Sequence, residues 1–425
     1  MKRSRTGSPA GKAPAIPPVA TVQVPLPLLD VLADAKTAFF GLCLTAGQQV
    51  FQTLMEQDRA QLCGPKNVPN PDRQAYRGGS TPSEVVLGGR RIVLPRLRAR
   101  SVTGDELTLP SFAYASARDP LDARTLEAIA VGVTTRKYHR ALDPLPVEVP
   151  ERAVSKSAVS RRFVALTSAR LTTWLATPLD GLDIRLVFID GLHFRDHVIL
   201  LALGVDAQGT KHVLALREGT TENATVCKGL LAELRDRGLD LDRPVLFLID
   251  GGTGLRKALR ETCGAVAVVH RCQVHKRRNV LEHLPKTMRP RVRRVLDEAY
   301  GLADAALAKR RLEQLAAGLD QTHPGAAASL REGLDETLTL QRLGVTGALY
   351  RTLRSTNAIE NLNGLVGHFI RHVHRWRDGR MLVRWIAAGL HEARRSFRRI
   401  RGHADLAALI CALDRRALDT RKEVA

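Results

Sequence analysis

The sequence predicts an α/β protein: a mixed β-sheet with helices on its faces, an all-helical insertion, and a mostly helical N-terminal region carrying one β-hairpin. Three observations predict it. Two short apolar runs, VFID and LFLID, each end in Asp followed at once by Gly, as buried strands that stop at a polar sheet end do. Between them lie a two-strand pattern and a helical one. After the second comes a long Ala- and Arg-rich stretch with helical periodicity and no strand signal.

The elements follow in order. Residues 1–24 are rich in Pro, Gly, Ala and basic residues and are expected to be a disordered basic arm, since such a composition buries too little apolar surface to offset chain entropy. Residues 25–118 are expected to be helical with one hairpin. Apolar residues recur at helical spacing from Leu26 to about Leu62, ending near Cys63-Gly64-Pro65. EVVLGGRRIVLPRLRARS (84–101) reads as two β-branched runs around Gly88-Gly89. The second arm carries Arg90, Arg91, Arg96, Arg98 and Arg100. Residues 119–180 read as a helix-turn-helix-like DNA-binding domain. There Ser155 caps a recognition helix that offers Lys156, Ser157, Ser160, Arg161 and Arg162 to DNA. An amphipathic helix with a solvated basic face has the same pattern.

The first part of the core is expected over residues 181–284. IRLVFIDGLHF (184–194) is a buried strand ending in an acid, and VILLALGVDAQGTKHVLAL (198–216) is two strands joined across Asp206 to Gly209. Thr220 or Thr221 then caps a helix to about Arg237. PVLFLID (244–250) is the second buried strand, Leu255 to Thr262 a short helix, and AVAVVH (265–270) a further strand. Strand, hairpin, helix, strand, helix, strand is the order of a ribonuclease-H-like core. Residues 285–353 form the helical insertion. The core resumes over 354–400 with a long helix beginning near Ser355, and 401–425 is a helical tail.

Composition narrows the partner. The formal net charge is +22 with a pI near 10.5, and a basic surface gains affinity for nucleic acid by releasing counterions from phosphates. The six scattered cysteines lack the density of a disulfide scaffold. The basic N-terminus is not followed by an apolar signal-peptide stretch, and no run approaches the roughly 18 apolar residues of a membrane span. A cytoplasmic, nucleoid-associated protein without a membrane partner is expected.

Asp at the end of a buried strand is costly unless its charge is compensated, and a divalent cation does so. A strand-end Asp that caps the next turn is the plainer explanation for either motif alone. Asp190 and Asp250, taken together in this strand order, favour metal, and the helix STNAIENLNGLVGHFI (355–370) supplies Glu360 beside Asn357, Asn361 and Asn363. Phosphodiester hydrolysis and strand transfer need in-line attack by water or a 3′-hydroxyl. Two magnesium ions about 3.5–4 Å apart stabilise the attacking and leaving oxygens, and hard cations prefer carboxylates. Asp190, Asp250 and Glu360 are therefore the candidate catalytic residues and metal ligands, with Mg2+ or Mn2+ expected.

At these residues the chain resembles a known family. Asp190 in VFIDGLHFRD, Asp250 in LFLIDGGTGL, Cys272-x-x-His275 in HRCQVHKRRN and Glu360 in RSTNAIENLNG look like the DDE signature of Mutator-type insertion-sequence transposases. The likeness continues into RHVHRWRDGRMLVRWIAAGL (371–390) and back to the hairpin and SKSAVSRRF, spanning roughly residues 80–395. It implies a ribonuclease-H-like catalytic domain, two Mg2+ or Mn2+ ions, recognition of terminal inverted repeats and strand transfer into target DNA by a homo-oligomer. The prokaryotic setting comes from the same resemblance.

Several neighbours carry expectations of their own. Cys-x-x-His is half of a zinc site, and Cys263 and His270 lie close by, but the spacing C-x6-H-x-C-x2-H is unlike a finger, so zinc is not expected. His275 is expected to contact phosphate or support the acids, with Cys272 packed beneath it. Lys276, Arg277, Arg278, Arg371, Arg375 and Arg377 are candidate phosphate contacts. Trp376 can stack on an unpaired base or belong to the core, the commoner arrangement. His193 and His197 face either the scissile phosphate or solvent. The rival readings are a transposase-derived DNA-binding protein or regulator without catalysis, against which three intact acids stand, and a structure-selective nuclease, which has less need of the basic N-terminal modules.

Overall fold

The computed structural model describes residues 35–71, 73–87, 90–117, 151–152, 155–194, 197–219, 223–371, 373 and 375–424. The expected basic arm, the Gly88-Gly89 turn, the Thr220 or Thr221 cap and most of the predicted helix-turn-helix before Ser155 lie outside these residues. The described chain divides into two compact units, one ending at Arg161 and the other beginning at Arg162.

In the first unit, the 29-residue helix Ala35–Cys63 packs on an antiparallel hairpin, β1 (Ala75–Leu87) and β2 (Arg90–Ser101). Two-residue strands β3 (Glu106–Leu107) and β4 (Glu151–Arg152) add to β2. Alternation along β2 buries Ile92 and Leu94 and exposes Arg91, which is the strand period of two at work. Leu44, Phe51 and Met55 of the helix complete that core with Val85 and Leu87. Arg96 and Arg98 both pair with Glu106, at 3.1 and 2.6 Å, and Arg90 is only 3% exposed. Much of the arm's charge is thus already engaged within the unit. The helix Lys156–Leu175 begins where expected, with the Ser155 hydroxyl accepting the Ala158 N–H at 3.2 Å.

The second unit is a five-stranded mixed sheet in the order β7-β6-β5-β8-β9. β5 (Ile184–Phe194), β6 (His197–Asp206) and β7 (Lys211–Gly219) are antiparallel, while β8 (Val245–Ile249) and β9 (Ala267–Arg271) continue parallel to β5. The β6–β7 turn forms because the Asp206 carboxylate accepts the N–H groups of Gln208 and Thr210 and Gly209 takes a φ of +83°. Alternation sorts β5 into two cores. Val187 and Ile189 pack with helices Ala224–Asp236 and Thr253–Cys263; Leu186 and Phe188 pack with helices Asn357–Ile370, Gly379–Ala393 and Leu406–Val424. The first of these helices is capped by Asn223, whose side chain accepts the Val226 N–H at 2.9 Å.

Residues 285–353 are helical without a strand, as the pattern predicts. Helices Arg289–Gly301, Ala305–Leu319 and Pro324–Arg331, with shorter ones to Leu353, form most of their own core around Val292, Leu296, Leu312 and Leu330. One strand differs from expectation. β5 does not stop at Asp190 but stays paired with β6 as far as Phe194 opposite His197, because the apolar register of β6 runs on past it. The pairing on the other side, with β8, stops before Asp190, its last pair being Phe188 opposite Leu248.

Candidate active site

The pairs between β5 and β8 keep a constant offset: Leu186 opposite Leu246, Val187 opposite Phe247, Phe188 opposite Leu248. Carried two steps past the last of these pairs, the same offset would bring Asp190 opposite Asp250, just beyond the end of β8. Both are half-buried. Side-chain alternation puts Asp190 on the face of Leu186 and Phe188, which is the face covered by helix Asn357–Ile370. That helix docks through Ile359, Leu362, Val366 and Ile370, a stripe at helical spacing. Asn363 and Glu360 flank the stripe. The Asn363 amide donates to Asp190 Oδ2 at 2.7 Å, and the Thr356 hydroxyl, buried at the start of the helix, donates to Glu360 Oε1. Asn363 therefore ties the glutamate's helix directly to the first aspartate.

The turn after β8 has a firm requirement. Gly251 has a φ of +114°, and a Cβ placed there would lie 1.9 Å from the Arg271 Nε. Only glycine fits both the left-handed backbone and the adjacent guanidinium. Asp250 Oδ1 accepts the Gly252 N–H at 3.0 Å, so the plain turn-capping role holds here, alongside the offset that points it toward Asp190.

Cys272 follows β9 and caps helix Gln273–Glu282, its Sγ accepting the His275 N–H at 3.5 Å. Its own N–H donates to Ile249 O at 2.8 Å, and the Gln273 N–H donates to Arg354 O at 2.9 Å. These bonds lock the motif to the end of β8 and to the residues leading into the glutamate's helix. His275 Nδ1 lies 4.0 Å from Glu360 Oε1 and 3.4 Å from the Thr356 hydroxyl. One ligand atom from each of Cys272, His275 and Glu360 falls within 4.8 Å of the others, the only such group of three among the described residues. Cys263 and His270 do not join it. Burial pushes the Cys272 thiol up, but hydrogen bonds from His275 and Thr356 outweigh this and hold it below the usual thiol range. The hydrogen bond with Cys272 holds the His275 imidazole above its ordinary value, against burial, with the Cys272, Glu360 and Asp250 charges adding to it. Fully buried His270 is pushed down to about 3 and stays neutral.

The candidate cations separate. Lys276 is a correction: it is 0% exposed, with Nζ donating to Ser329 O and Glu332 O and lying 3.5 Å from Glu332 Oε2. Helix Gln273–Glu282 buries Gln273, Lys276 and Val280, so its period points Lys276 into the insertion and leaves no donor for DNA. Arg277 pairs with Asp297; Arg278 is more open, 4.0 Å from Glu282. Arg371 and Arg375 are exposed, as are Lys156, Ser157 and Arg161, while Arg162 is half-buried. His193 is exposed, and His197 Nδ1 lies 2.8 Å from Glu218 Oε1. Trp376 sits edge-on to Phe194, centroids 6.1 Å apart, at the margin of the core.

A sequence profile of the Mutator family of transposases matches residues 30–399. The chain belongs to that family. Among its relatives, the transposase for insertion sequence element ISRM5 of Rhizobium meliloti is 27% identical over 85% of this chain and 90% of its own length. The transposase for IS256 in transposon Tn4001 of Staphylococcus aureus is 26% identical over 74% of this chain and 80% of its own. The transposase for IS6120 of Mycolicibacterium smegmatis is 31% identical over 44% of this chain. That match and the one to the IST2 transposase of Acidithiobacillus ferrooxidans span little more than half of those relatives, 58% and 56% of their lengths. Among the described residues, no helix of this Mutator-family chain is long and apolar enough to cross a membrane.

Thr356, Arg271 and Glu332 were not singled out by sequence reasoning. Thr356 leaves one usable signal, a hydroxyl four residues before Glu360 on a helical turn. Glu332 leaves none, since it reaches Arg271 and Lys276 from across the insertion.

Proposed function

We propose that this protein cleaves the ends of its insertion sequence and joins them to target DNA, through a ribonuclease-H-like site whose acids are Asp190, Asp250 and Glu360. The observation that supports the reading is the constant offset of β5 and β8, which points Asp190 and Asp250 toward each other past the last pair, on the side covered by the helix that bears Glu360. The sheet order, antiparallel through β7, β6 and β5 and then parallel through β8 and β9, supports the ribonuclease-H-like assignment.

The donor set suits a hard divalent cation: two half-buried carboxylates and a third that is about two-fifths exposed, all oxygen. Asp190, Asp250 and Glu360 would hold Mg2+ or Mn2+, most simply as two ions. Bound there, the ions supply Lewis-acid stabilisation of the attacking and leaving oxygens. The chain's own residues do the positioning. Asn363 fixes Oδ2 of Asp190, Thr356 orients Glu360, and Gly251 lets the chain turn away sharply enough to leave Asp250 at the opening. Exposed Arg371 and Arg375 are placed to meet phosphates without reading sequence, and Lys156, Ser157 and Arg161 offer a recognition face to the terminal inverted repeats. The partner is double-stranded DNA, engaged by a homo-oligomer that holds two ends together.

The test is magnesium-dependent nicking or joining at the tip of the element's end on a short duplex. Wild type is expected to cut and Asp250→Ala to bind without cutting. Equal cutting by both proteins would overturn the assignment, and binding without cutting by either would favour a regulator derived from a transposase.

A further inference from the structure

We propose that Cys272, His275 and Glu360 form a second, softer cation site that takes a zinc-type ion, distinct from the oxygen site of the paired aspartates. Sequence spacing argues against zinc because Cys272-x-x-His275 supplies only two ligands and the nearby Cys263 and His270 fit no finger pattern. The fold changes that count. Glu360 arrives from a helix far along the chain, and its carboxylate, the imidazole and the thiol sulfur come within 4.8 Å of one another.

Chemistry favours a borderline ion over magnesium. A thiolate is a poor ligand for Mg2+ and a good one for Zn2+, and a sulfur, nitrogen and oxygen set is common for zinc. Bond lengths of about 2.0 Å to nitrogen and oxygen and 2.3 Å to sulfur imply ligand-to-ligand edges of roughly 3.3–3.7 Å in a tetrahedron. Bringing the observed 4.0 Å between His275 Nδ1 and Glu360 Oε1 to the nitrogen–oxygen edge of roughly 3.3 Å takes a closure of about 0.7 Å. Glu360 is 40% exposed on its side chain and His275 24%, so both have freedom to close.

The frame is built for it. Cys272 and His275 project from the first turn of one helix, Glu360 from the first turn of another. These helix starts are bound together by the Gln273 N–H to Arg354 O bond, and Cys272 is anchored to Ile249. Three protein ligands leave a fourth position for water, as in open zinc sites. The capping bond from the His275 N–H explains why Cys272 sits at a helix start, but not why an imidazole and a carboxylate converge on its sulfur.

One consequence rests on the catalytic reading above. An ion in this site takes Glu360 as its own ligand and withdraws it from the aspartates, so zinc at low concentration opposes magnesium-dependent cleavage.

The binding claim is tested on the full chain, stripped with a chelator and titrated with Co2+ as a coloured stand-in for Zn2+. Wild type is expected to show a thiolate-to-cobalt charge-transfer band and intense four-coordinate ligand-field bands. Zn2+ should displace them. Cys272→Ser should lose the charge-transfer band, and Glu360→Gln should weaken binding at least about tenfold. Asp250→Asn should keep both bands, since it lies outside the ligand set. Absence of the band, its survival in Cys272→Ser, or unchanged affinity in Glu360→Gln would each overturn the proposal. If the band is absent while Asp250→Asn abolishes cleavage, the soft site fails and the catalytic reading stands. If the band is present but neither protein cleaves, the reverse holds.

Discussion

Two charged clusters flank the same short stretch from the end of β8 to the first turn after β9, and the fold treats them in opposite ways. At the sheet opening, Asp190, Asp250 and Glu360 keep half-buried or exposed carboxylates. Behind it, Arg271 and Lys276 are 3% and 0% exposed and are held by Glu332 and by the carbonyls of Ser329 and Glu332. A charge in low dielectric survives only when its donors or acceptors are filled. The cations are paired from within the chain, the Arg271 terminal nitrogens and Lys276 Nζ all on residues of the insertion, and are architecture. The acids stay within reach of solvent, and that is where ligands are expected.

The contrast breaks most sharply at the acids. Alanine at Asp190 or Asp250, or glutamine at Glu360, should lower end cleavage by about a hundredfold to a thousandfold, while thermal stability falls by no more than the hydrogen bond each aspartate gives up, about 1 kcal/mol. A large loss of melting temperature would make these residues structural instead.

Lys276→Ala should do the reverse. It leaves buried carbonyls without a donor, at a cost of about 2–3 kcal/mol, read by denaturant unfolding. The salt dependence of DNA binding should stay unchanged. A shallower salt slope in that variant would restore Lys276 as a phosphate contact.

Asn363→Ala removes the amide from Asp190 without touching any acid. Cleavage should fall by about tenfold to a hundredfold, chiefly in kcat, and the metal concentration needed for half-maximal rate should rise. A loss confined to KM for DNA would show that Asn363 acts on the duplex and not on the aspartate.

A pH series sharpens the cationic side. Burial pushes the Lys276 ammonium down to about 8, so between pH 8 and its ordinary range above 10 the unfolded chain holds the extra proton. Stability contributed by this group must therefore rise with pH through that window and fall as pH drops back toward 8. Wild type should gain relative to Lys276→Met over the same window, and a flat difference would mean that the ammonium is not buried. The smallest effect belongs to the exposed cations: Arg278→Ala or Arg375→Ala should each lower the salt slope of DNA binding by about one.

Much of this architecture is legible in the residues alone. VFID and LFLID announce central strands because apolar runs of that length bounded by Gly have few other solutions. The helical insertion and the Ser155 cap are equally readable. Lys276 is misleading because it stands in a run with Arg277 and Arg278, and composition says nothing of which helix face is inward. Counting from buried Gln273 and Val280 turns it inward, but their burial depends on insertion helices remote in sequence. Asp190 lies within β5 and not at its end because strand length is set by the partner on the other side, β6. The convergence of Glu360 on Cys272 and His275 is not readable at all, since it joins two helix starts that spacing does not relate.

The central claim is that Asp250 touches a catalytic ion, and Asp250→Cys tests it most directly. A thiolate binds Mg2+ poorly and softer divalent ions better. The account predicts that end cleavage by Asp250→Cys is lost in Mg2+ and recovered in part in Mn2+, while wild type works in both. Undiminished cleavage in Mg2+, or equal loss in the two metals, would contradict it.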